Sequence, residues 1–70
     1  MRRYLIVIEK ADGNHSAYAP DLPGCVATGA TYEEAEENML AAIKLHIEGL
    51  VEDSLPVPPP AAVSEYLVFE

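Results

Sequence analysis

The stretch that decides the fold of this 70-residue chain is Pro20-Asp21-Leu22-Pro23-Gly24-Cys25, followed shortly afterwards by Thr31-Tyr32-Glu33-Glu34-Ala35. Each proline fixes its own φ near −65° and favours an extended backbone in the residue before it. Gly24 permits the backbone angles that a tight turn needs. Thr31 stands where a helix N-cap is expected, and Glu34 follows it at the capping-box spacing. The segment therefore predicts a stiff turn just before a capped helix, which is typical of a presented structural element rather than of a catalytic loop.

Three short β-rich runs lie on the two sides of this turn. Tyr4–Ile8 is continuously apolar, which predicts a central strand that is covered on both faces. Asp12-Gly13 is typical of a hairpin turn. His15–Ala19 and Cys25–Gly29 are then predicted as the second and third strands, and the three strands together are expected to form an antiparallel meander.

A long helix is predicted from Tyr32 to about Asp53. Its apolar side chains recur at spacings of three and four residues and form one stripe, made of Ala35, Met39, Ile43, Ile47 and Leu50. The proline-rich segment Leu55–Pro60 is incompatible with a helix interior and predicts a stiff, extended connector. Tyr66–Phe69 is predicted as a last strand.

The predicted fold is α+β with the element order βββαβ. A right-handed crossover through the helix places the last strand parallel to the first, in a four-stranded mixed sheet of order 3-2-1-4. One helix covers only one face of such a sheet, and the first strand is apolar on both. We therefore expect a homodimer or a higher homo-oligomer. Residues 1–70 are expected to be a single domain.

The composition restricts the class of partner and the compartment. Twelve acidic residues against four basic ones give a net charge of −8, which opposes binding to nucleic acid phosphates. The same charge suits a basic protein partner, although simple solubility is an equally good explanation of it. No apolar run approaches the roughly 20 residues of a membrane helix. A single cysteine fits a reducing compartment, so we expect the protein to be cytoplasmic and not bound to a membrane.

The groups that carry chemical reactivity have no recognised spacing. The candidates are Cys25, His15, His46, Glu9, Asp12 and Asp21. A lone cysteine beside a β-rich run is more typical of a small buried apolar residue than of a nucleophile. The histidines lack a metal-ligand spacing, and the carboxylates are not arranged to converge on two metal ions. We therefore predict that the protein is not an enzyme, with no catalytic residue, no metal site and no cofactor.

Taken in order, these motifs resemble the N-terminal domain of the HicB family of antitoxins. The resemblance lies in Ile8–Lys10, Tyr18–Cys25, Thr28–Thr31, Glu33–Asn38, His46–Leu50 and the proline tract from Pro56 to Pro60. It implies the βββαβ layout of a trimmed ribonuclease H-type sheet. Many members of the family also carry a C-terminal DNA-binding domain of the helix-turn-helix or ribbon-helix-helix kind. Residues 1–70 leave no room for one, which puts autoregulation of a promoter in doubt.

The resemblance also implies a function and a partner. It implies an antitoxin of a type II toxin-antitoxin system, which binds a small basic HicA-type mRNA interferase and neutralises it by occlusion. The candidate partner-binding residues are Pro20, Asp21, Leu22, Pro23, Gly24, Glu33, Glu34, Glu36 and Glu37. A rigid hairpin corner and a solvated, capped first helical turn are the alternative explanations of these residues.

Two other functions remain open at this level. One is a homo-oligomeric small-molecule-binding or structural protein without a toxin partner. The other is a vestigial nuclease, which a metal-dependent cleavage assay would reveal.

Overall fold

The computed structural model describes residues 2–70, and the fold consists of a three-stranded sheet with one long helix packed on one face. The strands are β1 (Val7–Ala11), β2 (Asn14–Tyr18) and β3 (Val26–Gly29), and they are followed by the helix α1 (Tyr32–Glu52). Both strand pairs are antiparallel, and the order across the sheet is β1-β2-β3. The predicted meander and the predicted helix are thus confirmed, with boundaries that differ by up to three residues.

The strand register separates two faces of the sheet. Ala17 lies between Ile8 on β1 and Ala27 on β3, and these three residues face α1. On the opposite face, Tyr18 lies between Val7 and Val26.

The hydrophobic core is small and lies between the sheet and the first half of α1. Its buried residues are Ala17, Ala19, Leu22, Cys25, Ala35 and Met39. Leu22 and Met39 are the largest side chains that are completely buried, and the others are small. Since small side chains fill most of the core, the helix backbone lies close to the sheet.

The proline turn, Pro20–Gly24, is two tight turns in succession. The Leu22 N–H donates to the Ala19 carbonyl at 3.0 Å, and the Cys25 N–H donates to the Leu22 carbonyl at 3.0 Å. A proline occupies the second position of each turn, and Gly24 occupies the third position of the second turn with φ +81°. That combination is the signature of a type II turn. Leu22, which the two turns share, points into the core.

Both ends of α1 are capped. The Thr31 side chain accepts a hydrogen bond from the Glu34 N–H at 3.1 Å, which confirms the predicted N-cap. The Glu34 carboxylate accepts in return from the Ala30 N–H at 2.8 Å. At the other end, Ser54 adopts φ 57°, and the N–H groups of Ser54 and Leu55 donate to the carbonyls of Val51 and Leu50. This is the Schellman pattern, in which Ser54 takes the left-handed position that glycine usually fills.

The predicted fourth strand is wrong. Tyr66–Phe69 forms no strand, and its side chains are 81–98% exposed. The sheet is therefore antiparallel with three strands rather than mixed with order 3-2-1-4, and β1 lies at an edge instead of the centre. The four prolines between residues 56 and 60 keep the backbone extended and lack N–H donors, so this connector cannot itself pair as a strand, and the residues that follow it stay exposed. Within residues 2–70, no helix is long and apolar enough to cross a bilayer.

Replacing the N-cap should weaken the fold. Thr31→Ala removes the side-chain acceptor of the Glu34 N–H, and we expect the free energy of unfolding to fall by about 0.5–2 kcal/mol in urea denaturation. Thr31→Ser keeps the hydroxyl and should stay close to the parent protein. An unchanged midpoint for Thr31→Ala would show that the hydrogen bond does not stabilise the helix.

Two glycine-to-alanine changes should have opposite effects. A Cβ at Gly29 would lie 2.4 Å from the Ala35 backbone nitrogen, so Gly29→Ala forces α1 away from β3 and should cost about 1–3 kcal/mol. Gly49, inside α1, has open space around the same position. Gly49→Ala should therefore stabilise the protein by up to about 1 kcal/mol. Thermal denaturation of both variants tests this, and equal effects would contradict the close approach at Gly29.

Candidate partner-binding surfaces

The proline turn presents only part of its sequence to solvent. Pro20, Pro23 and Gly24 are exposed, and Asp21 is partly buried. Leu22 is 0% exposed, because its side chain is part of the core. The surface that this turn offers to a partner is therefore its two prolines and Gly24, held rigidly by the buried Leu22 between them.

Asp21 joins the proline turn to the C-terminal part of the chain. Its Oδ2 accepts hydrogen bonds from the Ala61 N–H and the Ala62 N–H, each at 2.9 Å. These are the first two N–H groups after the run Pro58–Pro60. The Tyr4 hydroxyl donates to the Pro58 carbonyl nearby. Residues 58–62 therefore form a strap that ties the C-terminal part of the chain to Tyr4 and the turn, a contact that sequence reasoning missed.

The four glutamates at the start of α1 differ in their hydrogen bonding. Glu33, Glu34, Glu36 and Glu37 are all exposed. The carboxylate of Glu34 is occupied by the N-terminal capping contact with Ala30. The other three are exposed and have no such backbone contact among the described hydrogen bonds.

A groove of about 900 Å³ runs between the start of the chain and α1. Its apolar lining consists of Tyr4, Ile6, Leu40, Ile43 and Ile47. Charged residues surround that lining, namely Arg2, Arg3, Lys44, Glu36, Glu37 and Glu48. The groove thus gathers three of the four cationic side chains of this acidic protein. Ile43 and Ile47 belong to the predicted apolar stripe of α1, and Leu40, which lines the groove with them, is 56% exposed.

The sheet face opposite α1 is a second apolar surface. Val7, Tyr18 and Val26 lie side by side across the three strands. Tyr18 is 40% exposed and Val26 is 64% exposed. Val7, the β1 residue of these three, is apolar as predicted for the first strand, and it is partly buried.

Two of the candidate reactive groups, Cys25 and His15, are at least partly buried. Cys25 is 4% exposed, and burial raises the pKa of its thiol, which disfavours the nucleophilic thiolate. The Nδ1 atom of His15 is buried without a hydrogen-bond partner. Within the described part of the chain, no three His, Cys, Asp or Glu side chains lie close enough together to hold a metal ion.

Comparison with known proteins agrees with this description. A family model described as the HicB-like antitoxin of bacterial toxin-antitoxin systems matches residues 4–68, which is nearly the whole chain. The chain belongs to the HicB-like antitoxin family. This confirms the resemblance carried by the proline turn and the capped helix.

Individual relatives extend the picture. A UPF0150 protein of Synechocystis is 45% identical over 56 residues, which cover 79% of this chain and 71% of the relative. A 14.9 kDa protein encoded in the rep-hol intergenic region of Haemophilus phage HP1 is 39% identical over 64 residues. That match covers 91% of this HicB-like chain but only 48% of the phage protein, so the chain spans about half of that relative.

A solved structure supports the fold. A chain of a HicA3 and HicB3 toxin-antitoxin complex superposes on this protein with a TM-score of 0.73 and 35% sequence identity. The superposition covers 84% of this chain and 70% of the other. The α+β arrangement of an antiparallel sheet and one long helix is therefore shared with a protein whose complex is known.

Removing the Asp21 carboxylate should release the strap. In Asp21→Ala, the Ala61 and Ala62 amides lose their acceptor, and we expect their hydrogen-exchange protection to fall while that of α1 is unchanged. Amide exchange followed by NMR measures both regions. Asp12→Ala, in the exposed hairpin turn, is the matched control and should leave both regions as they are. Unchanged protection of Ala61 and Ala62 in Asp21→Ala would contradict the described contact.

Proposed function

We propose that this protein is an antitoxin that binds a small basic ribonuclease of the HicA type and neutralises it by covering its RNA-binding surface. The observation that carries the proposal is the match to a chain of a solved HicA3 and HicB3 complex, at 35% identity over 84% of this chain. Family membership over residues 4–68 supports the same function. In this proposal the protein acts by stoichiometric binding, catalyses no reaction and needs no cofactor.

The charge of the protein supports a basic partner. With a net charge of −8, it attracts a positively charged ribonuclease over a distance of about one Debye length, and it repels the RNA substrate of that ribonuclease. Glu33, Glu36 and Glu37 are the exposed acids of the helix start that have no capping role. We assign to these three the steering of the encounter.

The proline turn is the proposed short-range contact. Its two tight turns hold Pro20 and Pro23 exposed in a fixed backbone conformation. A rigid element loses little conformational entropy when it is bound, so its contacts contribute more fully to affinity. Since Leu22 is buried, its part in recognition is to hold the two prolines in place.

The steering can be tested by association kinetics with the cognate toxin. We expect the triple variant Glu33→Gln, Glu36→Gln, Glu37→Gln to associate more slowly and to show a weaker dependence on salt, with little change in the dissociation rate. The matched control is Glu9→Gln, Asp12→Asn, Glu52→Gln, which changes the net charge equally at exposed positions elsewhere. Equal slowing by both triple variants would assign steering to the overall charge and contradict a role for the helix start.

The contact at the turn has its own kinetic signature. Pro23→Ala should speed dissociation of the complex while leaving association nearly unchanged, because the variant loses a short-range contact and keeps its charge.

The complex should form with purified toxin and suppress its RNA cleavage at an equimolar ratio. If no small basic ribonuclease binds the wild-type protein, the antitoxin function fails and a structural or small-molecule-binding homo-oligomer takes its place.

A further inference from the structure

The open sheet face, on the side of the sheet away from α1, carries an apolar row next to the proline turn. Val7, Tyr18 and Val26 form this row, with one residue from each strand. Tyr18 is 40% exposed and Val26 is 64% exposed. The proline turn leaves the sheet just after Tyr18 and returns to it at Val26, and its Pro20 and Pro23 are exposed. The apolar row and the two prolines thus lie at the same end of the sheet.

The next row of the same face is polar. It consists of Glu9, Ser16 and Thr28, which are aligned across the strands in the same register. Because side chains alternate along a strand, residues two positions apart lie on the same side of the sheet, so this row borders the apolar one. An apolar centre with a polar border is the usual anatomy of a protein–protein interface. The open sheet face therefore has the pattern of one half of such an interface.

The three strands place no basic side chain on the open sheet face. Glu9 is its one charged residue, and Lys10, the next residue of β1, lies on the side that faces α1. The other three cations, Arg2, Arg3 and Lys44, line the groove between the start of the chain and α1. Binding to nucleic acid requires cations that neutralise phosphates, so this face does not suit a nucleic acid partner.

The same charges favour a basic protein over a second copy of this chain. Two copies would each bring a net charge of −8, and two open sheet faces would form no ion pair with each other, because Glu9 is the one charged residue of each. A basic protein is attracted instead. A small molecule is not favoured either, because such ligands bind in concave sites, and the described grooves are lined by other residues.

The size of the open sheet face makes it one part of a larger contact. Three strands about 4.8 Å apart, with four or five residues each at about 3.3 Å per residue, present an area on the order of 200 Å². A stable protein interface takes about 800 Å² from each partner. A protein that binds this face therefore also contacts the neighbouring surface, and the proline turn is the neighbour at the apolar end.

We propose that the toxin contact extends from the proline turn onto the open sheet face, with Tyr18 as its main anchor. This inference rests on the proposed function and adds to it the surface on which the basic ribonuclease binds. Tyr18 lies in β2, the middle strand, and is flanked by Val7 on one side and Val26 on the other. Tyrosine is enriched among the residues that dominate binding energy, and such residues cluster near the centre of an interface.

Binding kinetics with a purified HicA-type ribonuclease test the anchor. Tyr18→Ala should raise Kd by about tenfold or more, mainly through faster dissociation, because the variant loses a central contact and keeps its charge. The matched control is Tyr66→Ala, at a tyrosine that is 98% exposed in the C-terminal part of the chain, and it should leave Kd within about twofold. Circular dichroism checks that both variants remain folded.

A second pair of variants keeps the inference testable if Tyr18→Ala does not fold. Val26→Asp places a charge in the apolar row, where the bound toxin would cover it, and should raise Kd by about tenfold or more. Val51→Asp changes the net charge equally on α1, at a valine that is 60% exposed, and should leave the dissociation rate nearly unchanged.

Cross-saturation NMR locates the contact without any substitution. In a complex of protonated ribonuclease with this protein, deuterated except at its methyl groups, saturation of the ribonuclease should reach the methyl groups of Val7 and Val26. The methyl groups of Val51 and Val63 are the internal controls and should stay unsaturated. Saturation that reaches the control methyl groups and leaves Val7 and Val26 unaffected would overturn the inference.

The outcomes separate this inference from the proposed function. A ribonuclease complex of wild-type affinity in both Tyr18→Ala and Val26→Asp would overturn the role of the open sheet face and leave the antitoxin function intact. Self-association of the protein through Val7 and Val26, or RNA bound to this face, would identify a different occupant and also overturn the inference. If the wild-type protein binds no small basic ribonuclease, the inference and the proposed function fail together.

Discussion

The close approach of α1 to β3 at Gly29 is the constraint on which the rest of this structure depends. A Cβ at that position would lie 2.4 Å from the Ala35 nitrogen, so only glycine allows the first turn of the helix to rest on the strand. The Asn38 side chain donates to the Thr28 carbonyl at 2.8 Å and ties the second turn to the same strand. Because α1 lies this close to the sheet, small residues such as Ala17 fill most of the space between the two layers. Only Leu22 and Met39 are both large and completely buried.

A core of this size leaves much of the apolar surface of the protein exposed to solvent. Small domains bury a limited fraction of their surface and are stabilised further by partners. Much of the uncovered apolar surface lies in three places: the groove between residues 2–6 and α1, the open sheet face around Tyr18 and the C-terminal tail. Their arrangement suits a protein that functions through association with other chains, in agreement with its membership of the HicB-like antitoxin family.

The hydrogen bonds show which of the acidic candidate residues contribute to the fold. Glu34 and Asp21 were both candidates for partner binding, yet their carboxylates accept backbone N–H groups, at the helix start and at the strap respectively. Glu33, Glu36 and Glu37 carry the same charge, are exposed and make no such contact among the described hydrogen bonds. In the same way, the proline turn keeps Leu22 for the core and presents its prolines outside.

The sequence by itself determined the features that rest on neighbouring residues: the Thr31 cap, the proline turn, the strands that precede α1, the helix itself and the family. Each depends on propensities and spacings within a few positions, which a sequence displays directly. Tertiary structure alone decided that Tyr66–Phe69 stays out of the sheet, that β1 is an edge, that Asp21 holds the strap and that Gly29 sets the helix height. These features join residues that are far apart in the chain. Local sequence specifies the strand propensity of a segment, but it does not specify the edge with which the segment pairs. That choice depends on where the intervening turns and prolines direct the backbone.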